Sequence, residues 1–121
     1  MYDEDNSPVD LLLEAGGHGD IQQIQKLIDS GIDVNSQNEG ETALLLASIN
    51  GHANAIEHLI KLGANINHQN NKETALILAV TNGHVDVVKA LVKINADQTI
   101  KDQGKTALDY AKNKSILSAL K

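Results

Sequence analysis

The sequence predicts an all-α solenoid: stacked helix–turn–helix units joined by short loops of β-hairpin type. Three observations predict it. A period of 32 residues runs along the chain, since Thr42, Thr74 and Thr106 are evenly spaced, and so are Leu12, Leu44, Leu76 and Leu108. Apolar residues within each period recur at i, i+3 and i+4, the spacing of one helix face. The third observation is compositional: 41% of the 121 residues are apolar but only 2% are aromatic, with no Phe and no Trp. A core of Leu, Ile, Val and Ala suits thin, helix-rich packing.

The same offset links Ala15, Ala47, Ala79 and Ala111; Gly19, Gly51 and Gly83; Leu27, Leu59 and Leu91; Ile28, Ile60 and Val92; and Gly31, Gly63 and Asn95. Each Thr precedes a helical segment, where its hydroxyl can accept a bond from an orphan backbone N–H. In the second unit Leu44, Ala47 and Ser48 form one helix face, and Ile56, Leu59 and Ile60 form the next after Asn50-Gly51. In the third, Val88, Leu91 and Val92 repeat the pattern. Gly31, Gly63 and Asn95 stop the second helices, because Gly and Asn tolerate the left-handed conformation that ends a helix. Polar stretches such as Asp33–Asn38 and Asn65–Asn70 then form projecting turns. A lone unit leaves an apolar face bare, and stacking supplies the missing partner.

The motifs carry a resemblance. Thr42-Ala43-Leu44-Leu45-Leu46-Ala47, Asn50-Gly51-His52 and Gly63-Ala64-Asn65-Ile66-Asn67 resemble the T-P-L-H-x-A, G-H and G-A-D-x-N signatures of the ankyrin repeat. Thr74–Ala79, Gly83-His84 and Asn95-Ala96-Asp97 match in the next unit. The resemblance spans about residues 7–121, in units of about 7–37, 38–69, 70–101 and 102–121. Departures exist. The period is one short of the usual ~33, and the missing residue falls between Asn67 and Thr74. Ala replaces the motif's Pro at 43, 75 and 107, and its His is Leu45, Ile77 and Asp109, so in the middle units apolar contact should replace the usual inter-repeat hydrogen bonds.

The two ends differ from the middle. Ser7-Pro8-Val9-Asp10 reads as a capped helix start, and the acidic residues 1–6 before it are expected to be a disordered tail. The last unit is truncated, so residues 114–121 must supply its second helix after a turn about three residues shorter, with Ile116, Leu117 and Leu120 facing inward.

Charge is unevenly placed within the net −6. Residues 1–60 hold Lys26 as their only base against eleven acids, whereas residues 61–121 hold nine lysines against five acids. The abundance of Asn and Lys with no Arg reads most simply as the codon bias of an AT-rich genome. Net negative charge without Arg or stacking aromatics argues against nucleic acid. The lysines of the second half (Lys89, Lys93, Lys101, Lys105, Lys112 and Lys114) read as a solvated face. No apolar run approaches a membrane span and no signal peptide is evident, so a cytoplasmic address is the default. Cysteine is absent, which removes disulfides and thiolate metal sites.

Catalytic and cofactor chemistry find no support. His18, His52, His58, His68 and His84 lack metal-ligand spacing, and His52 and His84 match the repeat's own G-H. Gly16-Gly17-His18-Gly19 lacks the Lys-Ser/Thr of a phosphate loop, and Gly19 is in phase with two helix-to-helix turns. The Thr residues are caps without a base. No enzyme activity, cofactor or metal is expected.

The resemblance implies a protein-binding module whose partner docks on the concave face made by loop tips and first helices. Here that face comprises Gln37, Glu39 and Glu41; Ile49 and Asn50; Gln69, Asn71, Lys72 and Glu73; Thr81 and Asn82; and Lys101, Gln103 and Lys105. A monomeric adaptor or inhibitor is the leading expectation. A regulatory or immunity subunit of a partner enzyme is the alternative, and a small enzyme or ligand carrier comes third.

Overall fold

The computed structural model describes residues 7–121, so the acidic segment 1–6 lies outside the described residues. Eight helices follow in pairs: α1 (Pro8–His18) and α2 (Ile21–Asp29), α3 (Ala43–Asn50) and α4 (Ala53–Lys61), α5 (Ala75–Thr81) and α6 (Val85–Lys93), α7 (Ala107–Tyr110) and α8 (Lys114–Leu120). Each first helix packs on the first helix of the neighbouring pair, and each second helix on the neighbouring second helix. The result is the all-α solenoid with hairpin loops that the 32-residue period predicts.

Local chemistry sets the helix ends. Thr42, Thr74 and Thr106 accept from the backbone N–H three residues on, at 3.2, 3.2 and 3.4 Å. Ser7 does the same for Asp10 at 3.1 Å, and the Asp10 carboxylate returns the bond to complete a capping box. Gly19 and Gly51 close the first helices at φ +69° and +79°, a conformation that suits glycine. A second reason forbids a side chain there. A Cβ on Gly19 would lie 2.7 Å from the His52 ring, and one on Gly51 would lie 2.7 Å from the His84 ring. His84 also donates from Nε2 to the Ile49 carbonyl at 2.7 Å. The G-H pairs therefore tie one unit to the next, and the three-glycine segment ends a helix as its phase indicates.

The core is one continuous aliphatic cluster that runs through the stack. Ala43, Leu44, Ala47, Ser48, Ile56, Leu59, Val88 and Leu91 are buried as their spacing implies. Leu45 and Ile77 are buried too, so apolar contact occupies the place of the motif's His. Burying one such Leu or Ile contributes about 1.5–3 kcal/mol. Ile60 and Val92, expected on the same face, are only half-buried, while Ala55 and Val87 are fully enclosed. The second helices are thus turned slightly relative to the expected face.

Asparagine does more than reflect codon usage. The Asn35 amide donates to the Gly63 carbonyl at 3.1 Å and accepts from the Asn65 N–H at 2.7 Å. One unit on, Asn67 accepts from the Asp97 N–H at 2.8 Å. These amides satisfy loop backbone that helices leave unpaired, and each spans two units.

One expectation for the last unit is corrected. Helix α8 begins three residues early relative to the period, as the shortened turn requires, and Ile116 and Leu120 face inward. Leu117 does not: it is 36% exposed. It holds the register of Val88, whose burial depends on cover from the following pair. No such cover exists over α8 among the described residues.

Candidate protein-docking face

The loops between pairs are tight hairpins. Asn38 and Glu41 exchange backbone hydrogen bonds at 3.2 and 3.0 Å, Asn70 and Glu73 at 3.0 Å each, and Asp102 and Lys105 at 2.8 and 3.0 Å. The two residues at each tip have positive φ: Glu39 and Gly40, Asn71 and Lys72, Gln103 and Gly104. That is the type I′ turn that best matches strand twist. Asn and Gly are its usual residues; Glu39 and Gln103 depart from this at the first tip position, and Lys72, at φ +72°, departs at the second, where the other two hairpins have Gly.

Cross-unit bonds hold the hairpins side by side. His68 Nε2 donates to the Gly40 carbonyl at 2.8 Å, and the Asn38 amide donates to Asp10 Oδ1 at 2.9 Å. That bond, with those from Ser7, holds the Asp10 carboxyl below the ordinary aspartate range. On the first helices, the Asn50 amide donates to the Gly17 carbonyl at 2.7 Å. The Asn82 amide turns back to Leu78 of its own helix at 2.8 Å.

The residues singled out from the sequence all reach the surface to some degree. Gln37, Glu39, Asn50, Gln69, Asn71, Lys72, Thr81, Asn82, Lys101, Gln103 and Lys105 are exposed, while Glu41, Ile49 and Glu73 are half-buried. Lys105 is exposed but engaged, with Nζ 5.6 Å from the centre of the Tyr110 ring, within cation–π reach.

Several residues of this surface escaped the sequence reading. Leu46, half-buried, lies one turn before Ile49-Asn50 and so shares their helix face, whereas its counterpart Leu78 is buried in the core. Glu14 and His18 hold the same register in α1 and are exposed. The 32-residue offset alone would have found Leu46, Glu14 and His18. Asp102 and Tyr110 were not legible. The Tyr110 hydroxyl lies 3.0 Å from the Asp102 carbonyl and 3.2 Å from its carboxylate, and Asp102 is buried at the base of the third hairpin. Asp102 in turn acts on its neighbour. Partial burial pushes the Glu73 carboxyl up from the usual glutamate range, and the charges of Asp102 and Glu41 add to the shift.

The candidate face is therefore a polar surface of hairpin tips and helix edges. Among the described residues, no group of three or more His or acidic side chains is placed to hold a metal ion. No described helix is long and apolar enough to cross a membrane.

Paired helices at a 32-residue repeat, capped by Thr and tied by G-H, define a helical repeat protein. The family model for ankyrin repeats in three copies matches residues 11–102 and again 68–121, and the chain belongs to the ankyrin-repeat family. Ankyrin repeats generally mediate protein–protein interaction. Among curated proteins, the chain is similar to mouse and human proteins named ankyrin repeat domain-containing protein 40. It is 53% identical to each over 36 residues, 30% of this chain and 10% of each relative. The likeness thus spans about one repeat and a tenth of those relatives' length.

Proposed function

We propose that the chain is a binding module that seats a protein partner across its hairpin tips and the open edges of α3 and α5, acting as an adaptor or inhibitor. The observation that carries this reading is a contrast between positions. Framework residues are identical from unit to unit: Thr at 42, 74 and 106, Ala at 43, 75 and 107, Leu at 44, 76 and 108. Face residues vary more: Glu39, Asn71 and Gln103 differ at one tip position, Ile49 is replaced by Thr81, and Lys101 and Lys105 stand where the unit before has Gln69 and Glu73, although Gln37 recurs as Gln69, Glu41 as Glu73 and Asn50 as Asn82. Packing explains the sameness of the buried members of the first group, Leu108 being exposed. Packing leaves the exposed positions of the second group free to differ, and a partner that touches successive units at different points would use those differences.

Lys72 supports the reading independently. A non-glycine residue at positive φ costs about 1–2 kcal/mol in the left-handed region, and the two other hairpins place Gly at this position. Backbone strain of this kind clusters at functional sites, and Lys72 is exposed at its loop tip. The tips also grade from Glu39 and Glu41 through Lys72 and Glu73 to Lys101 and Lys105. A partner of opposite gradient is oriented by that field, which speeds encounter more than it deepens affinity.

The test reverses three exposed charges together, Glu39→Lys, Lys72→Glu and Lys101→Glu. Glu41 and Lys105 are left alone, because one is half-buried and the other lies over Tyr110. The melting temperature should stay nearly unchanged. Capture of the partner taken by the parent protein from its native cell should weaken, mainly through a slower and more salt-sensitive on-rate. Unaltered capture kinetics at low salt would remove this face as the docking site.

A further inference from the structure

The opposite side of the stack, built from second helices, is not uniform. Between α2 and α4 the seam is bridged: His58 Nε2 lies 2.7 Å from Gln25 Oε1. One period on, Gln25 becomes Glu57 and His58 becomes Ala90. The pair that bridges one seam is thus replaced at the next by a carboxylate and a methyl group. The α4–α6 seam is open there, a groove of about 330 Å³ with Ile60, Ala90 and Ile94 as its apolar lining and Glu57, Lys61 and Lys93 as its charged rim. The three apolar residues are half-buried and the three charged ones exposed. This also accounts for the incomplete burial of Ile60.

The charge around the groove has a sign. Lys61 and Lys93 occupy equivalent positions on α4 and α6, so they form a repeated basic edge. Lys89 lies beside the same seam, and with Lys114 it also lines the next one, between α6 and α8. At the α4–α6 seam itself, Lys61, Lys89 and Lys93 stand against Glu57 and Asp86. An apolar slot with a net basic rim selects an apolar side chain that carries acidic neighbours, because lysine stems can cover the apolar group while their ammonium ends meet carboxylates.

We infer that the α4–α6 groove is a second docking site, which takes a bulky apolar side chain from a partner protein segment flanked by acidic residues. It lies on second helices and is separate from the hairpin face, so the module can hold two proteins at once. The two sites stand or fall independently.

The protein contains no Trp, so a tryptophan on a probe peptide reports alone. The probe is a synthetic peptide with one central tryptophan flanked by glutamates, titrated with the full chain. Its emission should shift to the blue and saturate, and binding should weaken at least tenfold between low and high salt. The variant Lys61→Glu/Lys93→Glu, at exposed positions that leave folding intact, should lose the response. So should Glu57→Gln/Ala90→His, which rebuilds the bridge of the α2–α4 seam. The hairpin variant Glu39→Lys/Lys72→Glu/Lys101→Glu should bind the peptide as the parent does, which separates this site from the hairpin face. A lysine-flanked peptide that binds equally well would overturn the proposal, as would a full response from Lys61→Glu/Lys93→Glu. Self-association of the parent that this variant abolishes would overturn it too, by making a second copy the occupant.

Discussion

The third and fourth helix pairs begin with the same three residues and end in different environments. Thr74-Ala75-Leu76 opens α5 and Thr106-Ala107-Leu108 opens α7, yet Leu76 is 1% exposed and Leu108 is 50% exposed. Backbone and cap are alike: both Thr residues are extended and both accept the N–H three residues on. The difference is the neighbour. Leu76 is covered by the next pair, as are Leu12 and Leu44, while Leu108 has no such cover among the described residues. Leu117 in α8 repeats the lesson against Val88. Burial in a stacked fold belongs to the interface between two units rather than to either one.

The comparison breaks most easily at the leucines. Leu76→Ala should destabilise by about 2–5 kcal/mol, the range for a large-to-small change in a packed core. Leu108→Ala, the same change one period on, should cost about 1 kcal/mol or less. Urea melts of the two variants decide it, and equal losses would mean that a partner or another copy covers α7 in solution.

Hydrogen exchange sharpens the same contrast without mutation. Helix α7 has only four residues and α8 has one uncovered side, so their amides should exchange fastest among the described helices. Those of α3 to α6 should be slowest, because their opening exposes two interfaces. Uniform protection would contradict the comparison.

Within the hairpins the effects are smaller. Lys72→Gly should stabilise by about 0.5–1 kcal/mol, since relief of the positive φ outweighs the added freedom of the unfolded chain. The same variant should bind the partner more weakly, so a gain in melting temperature with unchanged binding would leave the strain without a function.

The smallest effect concerns Glu73. Its carboxyl is raised in the folded state, so the native protein binds this proton more readily than the unfolded chain does. The resulting penalty is present at neutral pH and is relieved as pH falls through the raised value towards the ordinary glutamate value of about 4.3. Glu73→Gln should therefore melt slightly higher than the parent at pH 7, with the gap closing in acid. A gap that widens on acidification would mean that the carboxylate is stabilised rather than crowded.

Much of this protein is determined by the sequence alone, because its rules are local. A hydroxyl before a helix caps it, a glycine after a helix ends it, and apolar spacing sets the buried stripe. The 32-residue period carries these rules from unit to unit, so the helix pairs, the hairpins and the early start of α8 could all be read in advance. Other features belong to tertiary structure. Asp102 is buried because Tyr110 reaches it from the next helix, a contact that no motif encodes. Leu117 is exposed because none of the described residues covers it, although its spacing matches that of a buried residue. Asn35 and Asn67 look like composition until the neighbouring loop places a backbone N–H against each amide. The α4–α6 groove exists because two positions 33 residues apart, Glu57 and Ala90, fail to repeat a bridge made by Gln25 and His58. A sequence specifies the surface of each unit, but whether that surface is a core, a site or a gap depends on which residues the next unit presents to it.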